Sequence, residues 1–100
     1  MSDYWLTFRI AEDAQSDDRR QDIYDLVQSL IKDNRDMWVE PTSFIAFKCP
    51  HGIDDIKNRI EAVIDSRTDV VLLAKIGYKA YRLIGRCEDK DVLRMFPDLE

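Results

Sequence analysis

The densest group of charged residues in this chain follows a predicted strand and opens a predicted helix. It consists of Glu12, Asp13, Asp17, Asp18, Arg19 and Arg20. Carboxylates are ligands that Mg²⁺ prefers, and arginines at a helix start can hold a phosphate. The spacing matches no defined ligand set, however, and it also suits a solvated loop, a helix cap and surface ion pairs. We therefore predict no metal, no cofactor and no catalytic residue, and keep Arg19 and Arg20 as candidate nucleic-acid contacts.

A second group is basic and lies nearer the C-terminus. Between residues 70 and 87 the chain has no acidic residue, and its basic residues there are Lys75, Lys79, Arg82 and Arg86. Together with Tyr78 and Tyr81, such side chains on adjacent strands can stack bases and hold phosphates. Lysine and arginine also protect a sheet edge from aggregation, so both interpretations stay open. The net charge of −5 does not favour non-specific binding to nucleic acid.

The cysteines give little chemical signal. Cys49 and Cys87 form no paired motif, and we expect free thiols in a cytoplasmic protein. Cys49 and His51 supply only half of the four ligands that zinc needs. The N-terminus lacks the pattern of a signal peptide, and the aliphatic run 70–74 is too short to cross a bilayer, so we expect no contact with a membrane.

Hydrophobic periodicity predicts the elements that must position these groups. Tyr4–Ile10 alternates as a half-buried strand, with Trp5, Thr7 and Arg9 on the face away from the core. Apolar stripes predict one helix around residues 23–31, capped by Ser16 or Asp17 and ending near Asn34, and a second around residues 53–64.

The remaining segments read mainly as strands. Residues 37–49 are aromatic and β-branched and form either one kinked strand or two short ones, because Pro41 cannot join a ladder. Val70–Ile76 is apolar on both faces and needs cover on both sides. Residues 79–84 are predicted to form a strand that pairs with Val70–Ile76 in a hairpin. A short helix is predicted at 88–96, ending before Pro97.

This order predicts one α+β domain spanning residues 1–100. The simplest closure is a ferredoxin-like sandwich, a mostly antiparallel sheet with two main helices on one face and a short C-terminal helix. One face of that sheet stays uncovered, and stacking of two sheets in a homodimer would cover it. The residues predicted for the dimer interface are Trp5, Thr7, Arg9, Val71 and Leu73.

Three segments carry a resemblance to a known family. They are YWLTFRI (4–10), DDRRQDIYDLVQSL (17–30), and MWVEPTSFIAFKC (37–49) followed by a turn, a helix and TDVVLLAKI (68–76). Over residues 4–76 this layout resembles the small ferredoxin-fold nucleases of CRISPR spacer integration and the related VapD-type proteins. The resemblance implies a homodimer and a metal-dependent nuclease whose first strand ends in a metal-binding aspartate.

The sequence departs from that family at the metal position. Arg9 stands where the family has its aspartate, and a guanidinium is always cationic and cannot coordinate a metal. We therefore expect a non-catalytic homodimeric interaction module, binding a partner protein or nucleic acid through the basic C-terminal hairpin and Arg9. A metal-dependent ribonuclease or deoxyribonuclease using Asp13, Asp17 or Asp18 is the alternative.

Overall fold

The computed structural model describes residues 1–78, 80–89 and 91–96. The strands are β1 (Ser2–Arg9), β2 (Met37–Trp38), β3 (Phe44–Cys49), β4 (Val70–Lys75) and β5 (Ala80–Gly85). The helices are α1 (Ser16–Leu30), α2 (Ile53–Val63) and α3 (Val92–Met95), and one turn of 3₁₀ helix at Asn34–Asp36 precedes β2. The fold is thus α+β, with a five-stranded sheet in the order β2-β3-β1-β4-β5 and antiparallel pairing between all neighbours.

Strand β1 lies at the centre of the sheet, and its alternation divides the molecule into two sides. Tyr4, Leu6 and Phe8 are buried with α1 and α2 in one hydrophobic core, as predicted. Cross-strand partners share a face, so the pairs Leu6–Leu73 and Phe8–Val71 continue this core onto β4. Trp5, Thr7 and Arg9 point to the opposite side, which we call the open face.

The two main helices pack on the core side through the predicted stripes. Ile23, Val27 and Leu30 of α1 and Ile56 and Ile60 of α2 are buried there. A helix buries such a stripe because residues three and four apart lie on the same side.

The predicted ends of α1 were wrong. Gln15, not Ser16 or Asp17, is the N-cap residue, and its side chain makes no capping hydrogen bond. Ser16 is instead buried in the first turn, where its hydroxyl donates to the backbone oxygen of Asp13 at 3.0 Å. The helix ends at Leu30, and Asn34 belongs to the 3₁₀ turn that follows.

Residues 37–49 form two strands. β2 and β3 pair antiparallel, and Pro41 lies in the loop between them, where it has no ladder to interrupt. At the end of this loop Ser43 has a positive φ of 56°. Its carbonyl oxygen accepts from the backbone nitrogen of Phe8 at 3.2 Å and from the Thr7 hydroxyl at 2.9 Å, which ties the loop to β1.

The C-terminal part adds β5 and α3. Strand β4 ends at Lys75 rather than Ile76, and the β4–β5 hairpin turns through Gly77, whose φ is +84°. The predicted stop at Pro97 lies outside the described residues. Among the helices that the structure describes, none has the length and apolar character needed to cross a membrane.

Candidate interaction surface on the open sheet face

The open face carries two rows of side chains that run across the strands. The register aligns the first row, which we call the aromatic row: Trp38, Ala46, Trp5, Ala74 and Tyr81. Two residues further along the strands, on the same face, lies the second row: Phe44, Thr7, Leu72 and Leu83. Eight of these nine side chains are apolar or aromatic, a composition typical of a contact surface rather than of a solvated sheet face.

Three aromatic rings form a continuous cluster at the β2 side of this face. Trp5 and Phe44 stack with ring centroids 5.8 Å apart, and Trp38 meets Phe44 edge-on at 6.1 Å. We call these residues the aromatic cluster. The small side chain of Ala46 lies between the two tryptophans in the row and leaves room for their rings. Trp38 remains 52% exposed, so the cluster presents a large apolar area to solvent.

Helix α3 covers the other side of the same face. The Tyr81 and Phe96 rings lie 4.8 Å apart, and Val92 lines a groove of about 270 Å³ together with Leu72 and Leu83. Val92 and Phe96 are four positions apart, so they lie on one side of this short helix. The open face is therefore divided into a half covered by α3 and a half that presents the aromatic cluster.

The predicted interface residues divide between the two faces. Trp5, Thr7 and Arg9 lie on the open face as expected. Val71 and Leu73 do not, because both are fully buried in the helix-covered core. The prediction for these two was wrong in register, since a shift of one residue reverses the face of every strand position. Their neighbour Leu72 occupies the open face instead.

Arg9 lies at the end of β1, at the rim of the open face. One guanidinium nitrogen is 3.5 Å from the backbone oxygen of Arg86, and the side chain also borders the groove next to α3. Its opposite residue on β4 is Val70. Arg9 thus adds one positive charge at the rim of the open face.

Arg19 lies elsewhere, in a buried network at the end of the sheet. Its Nε donates to Asp69 at 2.8 Å, and its terminal nitrogens donate to Asp13 at 2.9 and 3.0 Å and to the carbonyl of Ala11 at 3.0 Å. Asp69 is fully buried and also accepts from the backbone nitrogens of Ala11 and Asp65, each at 2.9 Å. We call these five residues the Arg19–Asp69 network.

The electrostatics of this network are those of a structural ion pair. Burial alone would raise the pKa of Asp69, but the bonds from Arg19 and from the Asp65 and Ala11 backbone hold it below its ordinary value. The hydrogen bond from Arg19 likewise lowers the pKa of Asp13. Because the Arg19 side chain is 12% exposed and bonded to two carboxylates, it presents little of its charge to an external phosphate.

Two further carboxylates of this acidic group pair with Arg20. Arg20 contacts Glu12 and bonds to Asp17 at 2.7 Å, so two predicted metal-binding carboxylates, Asp13 and Asp17, have arginine partners. Within residues 1–78, 80–89 and 91–96, no group of three or more His, Cys, Asp or Glu side chains is arranged to hold a metal.

The basic residues that the structure describes in the hairpin are not gathered on one charged surface. Lys75 lies over the Tyr78 ring, 4.4 Å from its centroid. Arg82 is on the helix side, where it bonds to Asp54 of α2 at 2.8 Å. Arg86 follows β5 at the opposite end of the hairpin and is exposed. Lys79 lies outside the described residues.

Cys49 and His51 are structural neighbours of the core. Cys49 is buried, and that burial raises the pKa of its thiol. The backbone oxygen of His51 accepts from the Tyr4 hydroxyl at 2.7 Å, and its ring lies 3.0 Å from Asp55. Both contacts fix the turn that leads into α2.

Sequence reasoning missed three residues that matter most here. Trp38 and Phe44 were assigned only to strands, and the register that joins them with Trp5 depends on where the β2–β3 loop ends. Asp69 was not singled out, although an aspartate directly before a buried strand is a recognisable position for bonding to nearby backbone groups.

A scan against family models and searches of curated proteins and of solved structures found no match to this chain.

Proposed function

We propose that this protein is a non-catalytic interaction module with a ferredoxin-like sandwich, which forms a homodimer through the open face of its sheet. The observation that carries the proposal is the aromatic row with its adjacent second row, an apolar surface on the side of the sheet opposite α1 and α2. A cytoplasmic location remains our expectation from the free cysteines.

Strand order supports the ferredoxin-like part of the proposal. The first four strands lie in the order β2-β3-β1-β4, and α1 and α2 connect β1 to β2 and β3 to β4 across one face. This is the split βαβ arrangement with β5 added at the edge. The resemblance to the CRISPR-integration and VapD-type proteins stays a proposal that rests on the quoted segments and this layout.

The size of the open face suits a stable dimer. Four strands about 20–27 Å long and the two-residue β2, about 7 Å long, at about 4.8 Å spacing give roughly 450 Å² of projected surface, and side-chain relief together with α3 makes the accessible area larger. A standard interface buries about 800 Å² per partner. A second copy brings the same apolar surface, and an isologous pairing then covers both.

The proposal is tested by the mass of the protein in solution. Light scattering after size-exclusion chromatography should give a dimer at micromolar concentration, and Trp5→Glu together with Phe44→Glu should give a folded monomer. The matched control is Tyr78→Glu, because Tyr78 is an exposed aromatic residue on the hairpin, away from the rows. A wild-type monomer, or a dimer that survives the double substitution, would contradict the proposal.

Single-stranded nucleic acid is a second candidate ligand, favoured by one observation. Aromatic side chains on an open sheet are a platform on which bases stack, and Arg9 lies on the same face. A gel shift at low salt that Trp5→Ala abolishes would support it. By register Lys75 and Arg82 lie on the helix side of the sheet, with Tyr4 and Leu73, and not beside the aromatic rows, which is why we rank a second protein copy first.

The metal-dependent nuclease remains a prediction with a direct test. Purified protein is incubated with RNA and with DNA in the presence of Mg²⁺ or Mn²⁺. Cleavage that Asp13→Ala together with Asp17→Ala abolishes would establish it, and absence of cleavage would remove it.

A further inference from the structure

Helix α3 rests on the open face through one side only. Val92 and Phe96 face the sheet. At about 3.6 residues per turn, Arg94 then points directly away from the sheet, and Leu93 and Met95 lie on the two flanks of the helix. These three side chains are exposed. The outer side of α3 is therefore a solvated surface with a charge at its centre.

The fit between α3 and the sheet is loose. Leu72, Leu83 and Tyr81 lie beneath the helix, yet all three stay only half-buried, and so do Val92 and Phe96 above them. A groove of about 270 Å³ stays open where Val92 approaches Leu72 and Leu83. By contrast, the core residues of α1 and α2 are fully buried. Little further apolar surface would meet water if α3 left the sheet.

Helix α3 depends on this loose contact for its structure. It has four residues, and a helix of that length does not persist in water without tertiary packing. The backbone nitrogens of residues 94–96 donate to the carbonyls of Asp91 and Val92, within the same turn. Local opening of such a segment needs much less free energy than global unfolding. The helix is therefore a cover that can leave the sheet while the core stays intact.

The strip beneath α3 continues the two rows of the open face. Tyr81 ends the aromatic row, and Leu72 and Leu83 end the second row. Without α3, both rows run without interruption as far as β5. Two sheets that pack directly are about 10 Å apart, and a helix with its side chains has about the same diameter. Helix α3 therefore occupies the space that the sheet of a second copy needs.

The exposed half of the open face offers a small contact on its own. It provides about half of the roughly 450 Å² of projected surface of the whole face, and interfaces well below about 800 Å² per partner are weak or transient. With α3 in place, a partner over the other half meets the Arg94 guanidinium, and taking a charged group out of water costs free energy. Both points favour a contact that includes the strip beneath α3.

We propose that the interface between two copies of this chain includes the strip Leu72, Leu83 and Tyr81, and that α3 is a detachable cover which the sheet of the second copy displaces. This inference rests on the homodimer proposed above and adds how that contact is regulated. While α3 lies on the sheet, it competes with the second copy for the same apolar surface. The apparent Kd of the dimer therefore rises as the fraction of open molecules falls.

Loosening the cover should strengthen the dimer. Val92→Ser together with Phe96→Ser removes the two side chains that hold α3 on the sheet, so the dimer Kd should fall by about tenfold or more, measured by analytical ultracentrifugation. The matched control is Leu93→Ser together with Met95→Ser, which changes the flanks of the same helix and should leave the Kd unchanged. A Kd that the first pair leaves unchanged, or that either pair raises, overturns the inference.

Thiol labelling reports where α3 lies once the dimer has formed. Val92→Cys in a Cys87→Ser background places a thiol on the inner side of α3, while Cys49 stays buried. Its rate of reaction with a maleimide should rise as the protein concentration passes through the dimer Kd, because the second copy lifts α3 off the sheet. Leu93→Cys in the same background is exposed from the start and should react at a constant rate.

These measurements separate the inference from the proposal on which it rests. A dimer by light scattering in which Val92→Cys reacts at a constant or falling rate overturns the detachable cover and leaves the dimer in place. A monomer by light scattering at every concentration, in the wild type and in the loosened variant, overturns both.

Discussion

The Arg19–Asp69 network and the open face differ in how many of their contacts come from the chain itself. In the network, Asp69 receives hydrogen bonds from Arg19 and from two backbone nitrogens. Across the described residues, every buried side-chain polar atom has a hydrogen-bond partner. On the open face, by contrast, Trp38 is half exposed and its apolar surface is left to water.

This difference distinguishes charged groups that stabilise the fold from an apolar surface that is available to a partner. A charged group that is buried and fully bonded holds elements together and has no capacity left for a ligand. An apolar surface that the fold leaves uncovered costs free energy until a partner removes it from water. The density of charge in the sequence draws attention to the first region, but the second region has the unused binding capacity.

The largest effect should come from opening the network. Asp69→Ala removes the carboxylate, so two backbone nitrogens and the Nε of the largely buried Arg19 guanidinium lose their acceptor. We expect a loss of about 3–5 kcal/mol in the free energy of unfolding, measured by urea denaturation. The control is Asp17→Ala, because Asp17 pairs with Arg20 on the surface, where an ion pair contributes little. Equal effects of the two substitutions would contradict the comparison.

Gly85 should give the next largest effect. It has a φ of +92°, and a Cβ at this position would lie 2.0 Å from the backbone oxygen of Asp69. That oxygen also accepts from the backbone nitrogen of Arg86 at 2.7 Å, so it cannot move away freely. Gly85→Ala should therefore cost roughly 2 kcal/mol or more in unfolding free energy.

Gly77 provides the matched control for this substitution. Its φ is also positive, at +84°, but no atom lies within 4 Å of the added Cβ. Gly77→Ala should cost only the conformational strain, about 1 kcal/mol. If both alanine variants unfold at the same urea concentration, the close approach of Asp69 does not contribute.

Acid should weaken the network and not the open face. The folded-state pKa of Asp69 lies below its ordinary value, so its contribution is fully present above the unfolded pKa of about 3.9. It is lost as the pH falls from there through the folded pKa, because the folded state then has to take up the proton. The urea midpoint should fall as the pH is lowered below about 4, and this decrease should be smaller in Asp69→Asn. An identical decrease in both would assign the acid sensitivity to other carboxylates.

The elements of the fold were largely predictable because their signals are local. Alternation along β1 and the stripe of α2 each need only a few neighbouring residues, and both were confirmed. The α+β class followed from their order. The start of α1 was not predictable in the same way. The Ser16 hydroxyl donates to the backbone oxygen of Asp13 in the preceding loop and does not cap its own helix.

The candidate site was less predictable because it depends on pairing between distant segments. Trp38, Trp5 and Tyr81 share a row only through the registers of four strand pairs. The error for Val71 and Leu73 has the same origin, since a strand that is apolar on both faces gives no sign of which residues face the helices. Arg19 was kept as a candidate nucleic-acid contact, with surface ion pairs as the alternative, whereas its buried partner Asp69 is 50 positions away.

The smallest effect on intrinsic stability should come from the open face, and here the dependence on concentration is the informative quantity. Trp38→Ser removes a half-exposed side chain, so at high dilution the Tm should match that of the wild type. A dimer gains stability by mass action, so the wild-type Tm should rise with protein concentration and that of Trp38→Ser should stay nearly constant. Tyr78→Ser, which alters an aromatic residue of similar exposure on the hairpin, should keep the wild-type slope. Parallel slopes for the wild type and Trp38→Ser would mean that the aromatic cluster is not where two copies meet.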